Sequence, residues 1–159
     1  RCPMFQIQAL DPAPFAALET LSADALTVAR ARREIVKAKP GTPCRVSLED
    51  AAPGGEVILV NHMHRTHGPF AASHAIYIRP GATRATPAPG DVPALFLHRT
   101  LSLRAFSLDS NMLDARVIQG TDLASALTDM LKDPAVAAVD IHYAGPGCYA
   151  ARAVRSTAS

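Results

Sequence analysis

The spacing of apolar and polar positions predicts a chain built mainly of short strands. Phe5-Gln6-Ile7-Gln8-Ala9-Leu10 alternates with the period of a half-buried strand. Asp11-Pro12-Ala13-Pro14 breaks that run and opens a short helix through Leu21. Ser22 reads as the N-cap of a second helix over about 23–32, with Leu21 and Leu26 placed as a hydrophobic staple. Asp24 in its first turn and Arg30, Arg32 and Arg33 near its end suit the helix dipole. Glu34-Ile35-Val36 reads as a short strand, Lys39 to Pro43 as a loop, and the alternating Cys44 to Leu48 as extended.

Glu56-Val57-Ile58-Leu59-Val60-Asn61 is a continuous apolar run and predicts a central strand. His62 to Ala72 is polar and reads as irregular, and His74 to Arg79 is the next strand. Residues 82–93 form a proline-rich exposed loop, and Ala94 to Arg99 a short helix. Leu101 to Phe106 and Met112 to Ile118 flank Asp109-Ser110-Asn111, a hairpin pattern. Thr121 is placed to cap the best helix, where Leu123, Ala126, Leu127, Met130 and Leu131 form one stripe ended by Asp133-Pro134. Val136 to Tyr143 and Cys148 to Val154 are the last strands. The pattern predicts an α+β fold, a largely antiparallel sheet with two to four helices packed on one face. The alternative is a β-rich barrel with peripheral helices.

Length and composition narrow the class. A chain of 159 residues predicts one domain, taken as 4–155, with residues 1–3, Cys2 included, as an upstream or expression remainder. Aromatics make up 5% and there is no Trp, which weighs against base-stacking surfaces. Net charge is +2 with scattered basic residues, so no nucleic acid is expected as partner. No run of 18 apolar residues occurs, so no membrane span is expected. No basic-then-apolar leader opens the chain, and Cys44 and Cys148 are expected as reduced thiols in a cytoplasm.

Two polar islands carry the candidate chemistry. In the tail, His142 and Cys148 flank the Tyr143-Ala144-Gly145-Pro146-Gly147 turn. Such a turn can present a thiol and free N–H groups to one atom, and an imidazole facing it holds a nucleophilic cysteine as thiolate. The structural alternative is a buried cysteine beside a glycine turn. In the other island Cys44 stands beside Arg45, where it is either a thiol next to a guanidinium or plain core. A Cys44–Cys148 disulfide requires neighbouring strands. His62-Met63-His64 puts two imidazoles on one side of a strand, with His67 or His74 as a third. Solvent-facing or loop-capping histidines are the alternative, and no metal or other cofactor is assigned. Tyr77 and Arg79 share a strand face, and Glu49-Asp50 reads as a turn with an N-cap Asp rather than an acid pair.

At these islands the chain resembles a bacterial family, domain of unknown function 1203. The likeness rests on Arg33, Lys39-Pro40-Gly41, Cys44 to Ala51, Asn61, His64, Ser73 to Arg79, Leu101 to Phe106, Asp114, His142 and Gly147 to Arg152, and runs from Met4 to Arg155. The family implies no activity, cofactor or catalytic residue. The functional reading is therefore a polar pocket for an unknown small molecule, in a binding or interaction module. Its lining residues would be Cys44, Arg45, Asn61, Tyr77, Arg79, Tyr149 and Arg152. The alternative is a thiol-dependent hydrolase or transferase acting on an anionic substrate, with Cys148 as nucleophile and His142 or His74 as base. Oligomeric state is left open.

Overall fold

Two antiparallel sheets account for most of the computed structural model, which describes residues 4–156. The expectation on residues 1–3 lies outside the described residues. In chain order the strands are β1 (Phe5–Gln8), β2 (Ala31–Ile35), β3 (Glu56–Arg65), β4 (Ala72–Ile78), β5 (Thr100–Phe106), β6 (Met112–Gln119), β7 (Ala138–Tyr143) and β8 (Tyr149–Arg155). The larger sheet runs β1-β8-β7-β5-β6 and the smaller β2-β3-β4. Neither closes, so the fold is α+β and the barrel alternative does not form.

The helices α1 (Ala23–Val28) and α2 (Leu123–Met130) are short. The apolar stripe of α2, extended by Leu131, is wholly buried on one face of the larger sheet, against Leu101, Leu103, Val139, Ile141, Ala151 and Ala153. The 3-10 segment Ala13–Thr20 and α1 cover the apolar end of the smaller sheet through Phe15, Leu18 and Leu26, packed on Ile58, Val60, Ile76 and Ile78. No helix among the described residues is long and apolar enough to cross a membrane.

Several local expectations are corrected. The first α-helix stops at Val28, because Arg30 takes the left-handed region at φ 57° and turns the chain into β2. Arg32 and Arg33 therefore lie on a strand, paired with Glu34 and Glu56, and do not end a helix. β3 continues through His62 and His64 to Arg65, because pairing with β4 outweighs the polar sequence. Cys44 to Leu48 is a turn, closed by Leu48 N–H on the Cys44 carbonyl at 3.0 Å. Residues 94–96 form only a 3-10 turn. Thr121 does not cap α2: a 3-10 turn, Gly120–Asp122, stands before it. Asp50 caps no helix and instead accepts both terminal nitrogens of Arg99, at 3.0 and 2.6 Å.

Gly120 is where the backbone approaches most closely. A Cβ there would stand 1.6 Å from the Phe96 carbonyl oxygen. Gly120→Ala should lower the urea midpoint strongly, since overpacking costs about 1–3 kcal/mol. Gly145→Ala, with nothing within 4 Å of the added atom, should change it little. Equal midpoints for the two variants would contradict this packing.

Candidate functional site

The outer face of β7 and β8 carries charge where a sheet interior is normally apolar. Asp140 and His142 alternate with Val139, Ile141 and Tyr143, so they leave β7 on the side away from α2. Asp140 is fully buried and His142 is 1% exposed. A register shift at Ile141/His142 sets Tyr149 opposite His142, while Arg152 stands opposite Asp140. On β3 a second shift, between Met63 and Arg65, lets the successive residues His64 and Arg65 both reach inward.

Asp140 ties these strands together. Its Oδ2 accepts from Arg65 Nη2 at 3.1 Å and its Oδ1 from Arg152 Nε at 2.7 Å. Arg65 also lies over the Phe106 ring, 3.6 Å from its centre, and donates to Ser110 Oγ. Arg152 Nη2 reaches the His64 carbonyl at 3.1 Å. One buried carboxylate thus organises two guanidiniums, one from each sheet.

Three imidazoles gather beside this pair. His64 Nε2 and His74 Nδ1 are 2.7 Å apart, and the His142 ring stands edge-on to both, with centres 5.2 and 5.4 Å away. Tyr149 stacks on His64 at 4.9 Å. The Nδ1 of His142 bonds the Gly147 carbonyl at 3.0 Å, whereas Nδ1 of His64 is buried without a partner. Burial, then the neighbouring imidazoles, push His64 down to about 3. Burial, with Arg104 adding to it, pushes His142 down to about 4. Burial, Arg104 and Arg45 also lower His74. All three are neutral at neutral pH. Tyr149 is raised by burial and keeps its proton.

Around the turn before β8, Cys148 faces Arg45 rather than an imidazole. Arg45 is 2% exposed and has no carboxylate partner among the described residues. Its guanidinium donates to the carbonyls of Tyr149 (2.8 Å) and Pro43 (2.6 Å) and to Cys148 Sγ (3.0 Å). Arg45 and Arg99 both stand over the Tyr143 ring, their guanidinium carbons 5.0 and 5.2 Å from its centre. Burial pushes Tyr143 up to about 12, so it supplies no negative charge. These groups line a cavity of about 320 Å³ with Gly41, Thr100 and Pro146.

The structure thus brings together His64, His74, His142, Tyr149 and Arg152 in one cluster, with Arg45 and Cys148 in an adjoining cavity. His62 sits at the edge of the cluster, between Phe15 and Tyr149. The other expected residues lie elsewhere. Cys44 is 1% exposed in the core of the smaller sheet, its sulfur accepting from the backbone of Ser47 and Arg79. It forms no disulfide, and Cys148 is likewise free. Tyr77 leaves β4 on the side opposite His74 and donates to Glu34. Asn61 and the Arg79 side chain are exposed in separate hollows, because strand alternation turns both away. His67 is exposed and bonds Thr66. The sequence reading missed Asp140, Arg65, Arg99 and Tyr143. Asp140 had one legible signal, a lone carboxylate inside the apolar run Val136 to Tyr143.

A family model described as Protein of unknown function (DUF1203) matches residues 41–155, leaving outside it β1, β2, the 3-10 segment Ala13–Thr20 and α1, which the sequence likeness had also covered. No curated protein and no solved structure matches the chain.

Two measurements follow from this geometry. Asp140→Asn should cost about 3–5 kcal/mol of unfolding free energy, since it strands buried guanidinium charge. A loss under about 1 kcal/mol by urea unfolding would mean the two arginines do not depend on it. Second, His64 and His142 are held below the ordinary value near 6.5, so above about pH 4 and up to 6.5 the unfolded chain binds more protons than the folded one. Stability should fall as pH drops from 7 to 5 in metal-free buffer, and less steeply in His142→Gln.

Proposed function

The chain belongs to this family of proteins of unknown function, whose description carries no activity, and we propose from the site that it binds a small anionic molecule in the Arg45–Cys148 cavity. The observation that carries this reading is Arg45. A guanidinium stays charged in any protein and is rarely fully buried without a carboxylate, because taking it out of water costs several kcal/mol. Here the neutral carbonyls of Pro43 and Tyr149, a sulfur and a tyrosine face are its partners. A carboxylate or phosphoryl group entering the cavity would supply the missing charge through forked hydrogen bonds. Arg99 lines the same cavity but is already matched by Asp50, so it sets shape more than charge.

A second reading is thiol chemistry at Cys148, favoured by one contact, Arg45 Nη2 to Sγ at 3.0 Å. The cavity gives that sulfur access, and a positive neighbour is what a thiolate nucleophile requires. For His142 to act as its base only Nε2 could serve, since Nδ1–H is held by Gly147, and the side-chain hydrogen bond that Cys148 Sγ makes here is to Arg45. The acidic partner of a leaving group would have to come from the ligand or from water.

The test is thermal unfolding at constant ionic strength with inorganic phosphate, acetate or succinate against chloride. An anion at one hundred times its Kd stabilises by about 2.7 kcal/mol, which is a shift of roughly 5–10 °C for a chain of this size. Bound anion should also slow iodoacetamide labelling of Cys148, read by peptide mass, and the shift should vanish in Arg45→Met. Shifts no larger than with chloride for every anion, with Cys148 labelling unaffected, would overturn the reading. Labelling of Cys148 in the folded protein, with Cys44 protected until denaturation, would favour thiol chemistry as well.

A further inference from the structure

The imidazole cluster is separate from the anion cavity. We propose that His64, His74 and His142 bind one divalent transition-metal ion through three ring nitrogens, leaving a coordination position open beside Arg104. The site stands apart from the anion reading and uses none of its cavity residues.

Geometry is the first support. Three imidazoles on one zinc, at about 2.1 Å from metal to nitrogen, have ring centres on the order of 5 Å apart. The ring centres here form a triangle of 4.8, 5.2 and 5.4 Å. The rings come from β3, β4 and β7, so both sheets hold them rather than loops. His64 Nε2 and His74 Nδ1, 2.7 Å apart and hydrogen-bonded to each other without metal, converge on one point, and ring rotation with a change of tautomer would open room for an ion between them.

The second support is how each ring is oriented. His142 donates Nδ1–H to the Gly147 carbonyl, which leaves Nε2 as the free nitrogen. A backbone carbonyl on the far nitrogen is the arrangement that fixes a metal-bound histidine. His64 Nδ1, buried with no hydrogen-bond partner, is an orphaned polar atom inside the cluster. Metal ligation by Nε2 would make that nitrogen the protonated one, and ligand atoms of His64, Asp140 and His142 lie within 4.8 Å of one another.

Charge selects what completes the site. Three neutral ligands leave the ion's full charge, and both oxygens of Asp140 are taken by Arg65 and Arg152. Arg104, opposite Asp140 in register, bonds only Ser102 among the described side chains. A fourth ligand is therefore expected to be an anion or hydroxide, bonded to the metal and paired with Arg104. Three histidines with an open position is the form of a zinc site that does chemistry rather than one that only holds a fold.

The test uses the full chain and zinc, with cobalt(II) as a coloured stand-in. Equilibrium dialysis against zinc should give a single equivalent per chain. Cobalt should give visible bands of low-coordinate nitrogen ligation without the near-ultraviolet absorption of a cobalt–sulfur bond. His74→Ala, at a half-exposed ring, should keep the fold by circular dichroism and weaken zinc binding by at least about tenfold, as should His142→Gln. Cys148→Ser and His67→Ala should leave it unchanged. Failure to bind stoichiometric zinc, or undiminished binding in His74→Ala, overturns the proposal. Anion binding measured without metal is untouched by either result.

Discussion

The ion bridge at Asp140 is the constraint on which the rest of the structure depends. A carboxylate with no exposure sits between Arg65 from the smaller sheet and Arg152 from its own neighbouring strand. Each group alone would be costly to bury, and the three together compensate only if their geometry is kept. That requirement fixes how far apart β3 and β7 stand. The same interior holds the imidazoles of His64, His74 and His142 and the ring of Tyr149. The histidines fill the gap that the ion bridge defines.

One face of β3 makes the division of labour plain. Ile58 and Val60 join the apolar cluster beneath the 3-10 segment and α1, whereas His62 and His64, on the same face, meet Phe15, Tyr149 and His142. A single strand passes from oil-like packing to a polar interior within four residues. β4 repeats the change in reverse, from His74 to Ile76 and Ile78. The boundary between stabilising core and candidate chemistry therefore runs across the sheet, not between sheets.

Much of the fold was legible because local signals agreed with the tertiary outcome. The α2 stripe, the β5–β6 hairpin, the Ser22 cap and the two final strands all follow from periodicity and turn residues. The errors share a cause. Polar residues on β3 and at Arg32 and Arg33 were read as loop or helix end, because sequence cannot show that a partner strand will pay for a polar residue's place in a ladder. The site was legible only in part. His74, His142 and Cys148 were found by type, and Arg152 by its place in the tail. Asn61, Tyr77 and Arg79 lie outside the imidazole cluster, since the sequence does not show which strand face meets the other sheet. The pairing of Cys148 with Arg45, 103 residues away, has no local trace.

The extra residue in β3 has an evolutionary meaning. Between Met63 and Arg65 the strand pairs out of step with β4, which is how neighbours in sequence, His64 and Arg65, come to serve the same interior. Deleting or inserting one residue there would leave the hydropathy profile nearly unaltered, yet would send either the imidazole or the guanidinium out to water. Substitution at the exposed outer positions Asn61 and Met63 leaves that arrangement intact, whereas the count of residues from Val60 to Arg65 must be kept.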